Sequence, residues 1–204
     1  VHRGQVSLTR ALVCEGVEPL HLLTCGHPPE AALDDWVAAL SWGEVTGELF
    51  RRLAVRYRLI VVDTPSGLTG PTRGVLRHAT HVLVPVQAEP LALRSAPQLL
   101  SRFAELGAGR GRLELAGFVP TMVRSRNEVS LAATQELFRL LPRQAVLESF
   151  VPWDPAFLTA SALGVPAALL PGGRPAVAAV FETMADELLG RLGLGEDTTP
   201  GGGE

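Results

Sequence analysis

A few residues in this chain carry side chains whose types and surroundings could do chemistry. Asp63 closes the run Tyr57-Arg58-Leu59-Ile60-Val61-Val62 and opens Asp63-Thr64-Pro65-Ser66-Gly67. A carboxylate in that place suits a metal or phosphate site, because a hydrated magnesium ion takes oxygen ligands and needs few protein groups. Asp-Thr-Pro is also good turn chemistry, so Asp63 could equally cap the next turn. Gln87 ends a second apolar run, Thr121 and Met122 end a third, and Pro152-Trp153-Asp154 follows Phe150-Val151. Trp153 could stack on a planar ring or simply fill space. Arg124 and Arg126 form a small cationic pair that could touch phosphates or be an ordinary solvated loop. Cys14, His21, Cys25 and His27 are zinc-type ligands, but their spacing is irregular and lacks a paired C-x-x-C, which favours buried thiols and a loop histidine.

Elements must bring such residues together. Leu59-Ile60-Val61-Val62 is four aliphatic residues without period-two alternation, which predicts a strand buried on both faces in a parallel sheet. In open sheets of that kind ligands sit outside the carboxyl ends of the strands, where Asp63 would lie. Further strands are expected over residues 19–26, 82–87, 113–122 and 145–151. Pro85 fits a central ladder poorly. Helical spacing predicts helices over 29–40, 44–56, 72–79, 91–106, 128–141 and 176–192, and Ser7 could cap a short helix over 7–12. Arg51, Arg52 and Arg56 near the end of the second helix fit its dipole and read as a solvated face. Gly107-Ala108-Gly109-Arg110-Gly111-Arg112 reads as a flexible loop, and the acidic, glycine-rich stretch 195–204 as a disordered tail.

Composition bounds the function. At 204 residues and 47% hydrophobic the chain is long enough for one sizeable core, expected over 1–192. Two cysteines suggest no disulfide framework, and no apolar run approaches membrane-spanning length, which makes a cytoplasmic, soluble protein the expectation. A net charge of -3 argues against a surface built wholly for nucleic acid. All 18 basic residues are arginine. A phosphate-cradling Walker A loop needs a lysine that reaches the β and γ phosphates, and this chain has none.

In order along the chain, Tyr57 to Gly67, His81 to Gln87 leading into Glu89 to Arg94, Leu115 to Met122, and Phe150 to Asp154 with a later Gly164-Val165-Pro166 resemble the ParA/MinD (Soj-like) family of deviant-Walker P-loop ATPases. Members of that family carry an IIIDTPP strand, a VLIPVQ strand leading into a helix, a GVLLTM strand and an IPR segment that runs on to GKPV. The resemblance covers roughly residues 17–192, and the order of motifs is more specific than any one of them. Pro19 to Gly26 looks like the strand that precedes these in the family. The fourth position of the first motif departs, with Ser66 for proline. Trp153 stands where a basic residue is usual, Arg124 where aspartate is frequent, and Val165 where lysine is common.

The resemblance implies a doubly wound α/β domain with a mostly parallel sheet and helices on both faces. The strand and loop that carry the family's lysine would lie before Val1, leaving the sheet N-terminally incomplete with an exposed edge and a tendency to associate. It implies ATP with magnesium as cofactors, Asp63 holding the metal through water, Thr64 and Pro65 shaping a switch, Gln87 near the phosphates and Pro152, Trp153 and Asp154 bordering the base. No catalytic residue is expected in this chain, and ATP and magnesium are not expected to bind to it alone. The implied role is a bacterial chromosome, plasmid or cargo partitioning ATPase that dimerises with ATP, with DNA contact through Arg124 and Arg126 and no membrane anchor. The alternative is a non-catalytic interaction module on the same fold.

Overall fold

The computed structural model describes residues 9–10, 21–23, 28–108 and 113–195. By density of contacts the chain divides into two units, Val1–Gly74 and Val75–Glu204.

In the first unit, β1 (Thr9–Arg10) pairs antiparallel with β2 (His21–Leu22). Residues 9–10 are therefore strand and not the helix expected over 7–12; the rest of that stretch lies outside the described residues. The His21 ring meets the Tyr57 ring edge to face at 5.5 Å. A single 3-10 turn (Glu30–Ala32) leads into α1 (Leu33–Trp42), with Asp34 and Asp35 in the first turn, where the helix dipole favours acids. Gly43, at φ 83, ends α1 and starts α2 (Glu44–Leu53); that left-handed backbone lets the two helices turn back on each other at no side-chain cost. Arg51 and Arg52 pair with Glu48 on the solvated face of α2, as the sequence reading expects. α3 (Gly70–Leu76) packs so close to the end of α1 that a Cβ on Gly74 would overlap the Leu40 carbonyl.

The buried central strand expected over 59–62 is not formed. Among the described residues no strand is laddered to it, and Val61 is 84% exposed. Apolar composition makes a strand possible; neighbours on its edges make it one, and among the described residues it has none.

The second unit is an α/β layer structure. β3 (His81–Gln87) and β4 (Glu114–Thr121) run parallel, and Gln87 pairs with Thr121. Beyond β4 the chain from Val146 to Trp153 lies along its other edge. Leu147 N–H donates to the Phe118 carbonyl and Val151 N–H to the Pro120 carbonyl, each at 2.8–2.9 Å, with parallel bridges Phe118 to Val146 and Val123 to Pro152. The strand expected over 145–151 is thus a bridged extension that opens with a 3-10 turn, Arg143–Ala145. The single helix expected over 91–106 is two, α4 (Pro90–Leu93) and α5 (Ala96–Ala108), broken where the Ser95 hydroxyl bonds back to the Ala92 carbonyl.

β4 is covered on both faces. On one side Phe118 joins Val86, Leu93, Ala96, Val146 and Leu137 of α6 (Glu128–Leu140); on the other Val119 and Leu147 meet Met184 of α8 (Ala178–Arg191). Consecutive buried residues facing opposite layers are what a parallel strand with helices on both sides requires. α6 begins at Asn127, whose side chain accepts from Ser130 N–H at 2.9 Å. α7 (Ala156–Leu163) ends at Gly164 in the left-handed region.

Arg191 binds α8 to the sheet. Its guanidinium donates to the carbonyls of Ala116, Gln144 and Val146 and to Glu187, all at 2.8–3.0 Å. Glu187 in turn accepts the backbone N–H groups of Glu148 and Ser149. Gly117, at φ 149 beside a register shift in β4, leaves room for this: a Cβ there would meet Leu147 Cδ1 at 2.3 Å and Arg191 Nη1 at 2.9 Å. Gly117→Ala should therefore cost about 2–4 kcal/mol from overpacking and backbone strain. Gly190→Ala, on α8 with open space around it, should cost nothing or stabilise; urea denaturation of the two variants measures the contrast.

Burial pushes the Glu187 carboxyl up, but the amides of Ser149 and Glu148 and then Arg191 outweigh it and hold it below the ordinary carboxylate value. A depressed acid stabilises the fold above its unfolded pKa, and that contribution disappears as pH falls through the folded value. Glu187→Ala is expected to lower stability by roughly 1–3 kcal/mol at pH 7. The wild-type and variant urea midpoints should converge as pH is lowered from about 5 towards 3.

Candidate functional site

The parallel pairing sets a rim at the carboxyl ends of β3 and β4. Gln87 and Thr121 face each other across the ladder, and Ala88 N–H donates to the Thr121 carbonyl at 2.9 Å. One strand further, Val123 pairs with Pro152, and Trp153 N–H donates to the Val123 carbonyl at 2.9 Å. Three of the strand ends singled out in the sequence therefore arrive at one edge of one sheet. In open α/β sheets this is the edge where ligands sit.

The backbone turns sharply there. Met122 has φ 57, a left-handed conformation that a non-glycine residue adopts at a cost of about 1–3 kcal/mol and that gathers at ligand sites. The turn lets Val123 point into the core while Met122 stays exposed. Arg124 N–H is held by the buried Ser130 hydroxyl at 3.0 Å, so the start of α6 fixes the loop that leaves the rim.

Trp153 is 43% exposed, and the Arg124 guanidinium lies over its ring, 5.0 Å from the centroid. A cation over an indole face is attracted by the ring quadrupole, and the pair forms a flat, partly wet shelf. Asp154 has a different job from the two residues before it: its carboxylate accepts Ala156 N–H at 2.8 Å and starts α7. Arg126 is exposed on the same loop as Arg124. The shelf is open. The groove of about 490 Å³ between α4 and α6, lined by Pro90, Leu93, Arg94, Val129 and Leu140, includes none of the rim residues.

Asp63, Thr64 and Pro65 belong to the first unit. Asp63 is exposed, and the Pro65 carbonyl accepts the buried Thr72 hydroxyl at 2.8 Å, which ties the Asp-Thr-Pro segment to α3. Among the described residues no group of three or more His, Cys, Asp or Glu side chains is placed to hold a metal. Cys14, Cys25 and His27, like Arg110 and Arg112, lie outside the described residues. Among the described residues no helix is long and apolar enough to cross a membrane.

Sequence reasoning did not find the Arg191 and Glu187 lattice beneath the Pro152 segment. An arginine in the last turn of a helix suits the dipole anywhere, and its carbonyl partners are 45, 47 and 75 residues away.

No protein-family model matches the chain. Over 71 residues it is 41% identical to the chromosome-partitioning ATPase Soj of Thermus thermophilus, a stretch that makes up 34% of this chain and 28% of that protein. Among solved structures it resembles the ATP complex of McdA(D38A) from Cyanothece with a TM-score of 0.64 at 17% identity, covering 81% of this chain and 64% of that one. The cell division ATPase MinD of Pyrococcus furiosus gives a TM-score of 0.56 at 20% identity, over 72% of this chain and 57% of that one.

These likenesses show an α/β fold of the kind the P-loop ATPases have. Within that class the fold is that of the ParA/MinD ATPases. The chain spans less than two thirds of the length of these McdA and MinD structures.

The shelf generates a direct test. A double-mutant cycle with Arg124→Ala and Trp153→Phe, read by urea denaturation, should return a coupling of about 0.5–1 kcal/mol. Additive effects would show that the guanidinium does not rest on the indole.

Proposed function

We propose that the protein serves a ParA/MinD-type positioning system as a nucleotide-responsive component, with the rim of the second unit as its base-binding side. The observation that carries this reading is the convergence of Gln87, Thr121 and the exposed face of Trp153 at the carboxyl edge of two parallel strands and their extension. In this reading Pro152 and Trp153 border the base, Asp154 fixes their loop by starting α7, and Gln87 faces the phosphate side. Asp63 would orient a magnesium-bound water and Thr64-Pro65 would respond to it. ATP with magnesium, when bound, supplies the charge that such a switch reads. The polypeptide acts in the cytoplasm, as a homodimer or with a partner protein, and Arg124 and Arg126 offer a weak, sequence-independent contact to DNA.

A second reading is favoured by one observation, the absence of any lysine among 18 basic residues. Without a lysine at the phosphates the fold could serve protein contacts alone, as a non-catalytic interaction module.

Saturation-transfer NMR with adenosine and ATP, alongside calorimetry with magnesium present, separates the two. The nucleotide reading expects weak contact to the adenine protons of both ligands, lost in Trp153→Ala, and no calorimetric ATP binding in the micromolar range. Absence of any adenine contact would leave the interaction module. Micromolar ATP affinity would contradict the expectation that this polypeptide has no phosphate grip of its own.

A further inference from the structure

Arg124 and Trp153 are both anchored through their backbones. Arg124 N–H donates to the Ser130 hydroxyl at 3.0 Å and the Arg124 carbonyl accepts Asn127 N–H at 3.0 Å, while Trp153 N–H donates to the Val123 carbonyl at 2.9 Å. Only the side chains keep freedom, and the guanidinium settles over the indole, 5.0 Å from the ring centroid. Asp154, the acid beside that ring in the chain, accepts Ala156 N–H at 2.8 Å, and among the described residues no carboxylate pairs with Arg124. Both positions depart from the motifs that the chain otherwise resembles, so the contact belongs to this chain and not to the pattern.

A ring face attracts a cation through its quadrupole and leaves the hydrogen-bond donors of that cation largely available. Those of arginine form a planar fork that matches two oxygens of a phosphate. An exposed arginine gives up rotamer freedom when it grips an anion; one that already rests on a ring has given up part of it beforehand. Arg126, exposed two residues further on, adds a second positive charge to the same loop.

We propose that Arg124 is a preorganised ligand for a phosphate group at the rim and that Trp153 is its positioning residue. The phosphate belongs to a small free molecule or to a nucleic-acid backbone, which share this chemistry. Trp153 acts here as the support of a cation and needs no base on its ring, so the inference holds or fails apart from the nucleotide reading.

Two ligands that offer no free base, inorganic pyrophosphate and a short DNA duplex, test it on the full chain at low salt. The probe is the Arg124 Nε–Hε resonance, assigned by its loss in Arg124→Gln. Movement with pyrophosphate assigns a free phosphate as sufficient, and movement with the duplex alone assigns the backbone. Trp153→Leu should weaken the bound ligand about three- to tenfold, with Trp153→Phe, which keeps a narrower face, in between. Duplex affinity, read by anisotropy, should lose about one unit of salt slope in Arg124→Gln and none in Trp153→Leu, whose charge is unchanged. In the Arg124→Gln chain, Trp153→Leu should have no further effect, which separates positioning from damage to the loop. A resonance that neither ligand moves would overturn the proposal, as would Trp153→Leu binding like the wild type, or weakening the Arg124→Gln chain just as much.

Discussion

The second unit depends on one guanidinium. Arg191 holds three carbonyls from β4 and the chain beside it, and Glu187 holds two amides of that same chain. These five backbone groups lie in the 3-10 turn at Gln144, at the register shift of β4 and along the bridged segment beside it, and at a sheet margin such groups would otherwise need water. By satisfying them with a helix four residues apart on one face, α8 turns an irregular segment into an extension of the sheet. The rim follows from this, because Val151, Pro152 and Trp153 can register with Pro120 and Val123 only if the chain before them is fixed.

Gly117 is the steric counterpart of that clamp. The guanidinium needs to approach the strand where a side chain would stand, and a register shift at Val82 and Leu83 accompanies the unusual backbone. The left-handed Met122, four residues beyond the paired Phe118, re-aims the chain at the other end of β4. Local departures from ideal strand geometry thus sit within β4, at Gly117, and just past its end, at Met122. The first secures the layer of α8, and the second presents the shelf of Arg124 and Trp153.

Much of this was legible in the residues, and the part that was not has a common cause. Apolar runs ending in Gln87 and in Thr121 read correctly as parallel strands because both are flanked by helices that the sequence also shows. Leu59 to Val62 has an equally strong local pattern and forms no ladder among the described residues, since pairing is a property of neighbours that no local pattern encodes. The helix expected over 91–106 broke at Arg94 and Ser95, where a hydroxyl competes for the backbone. Thr9 and Arg10 became strand because His21 and Leu22 lie opposite them. Trp153 stood out by type, but its partner Arg124 was read as a candidate for phosphates; only the fold reveals that the two side chains stack.

The central claim is that parallel strands deliver Gln87, Thr121 and Trp153 to one end of one sheet. Backbone NMR on the full chain tests it through short amide and α-proton contacts between strands. The account predicts contacts linking Ala88 with Thr121 and Trp153 with Val123. Contacts placing Trp153 beside Glu114, or the β3 and β4 protons in an antiparallel pattern, would contradict it.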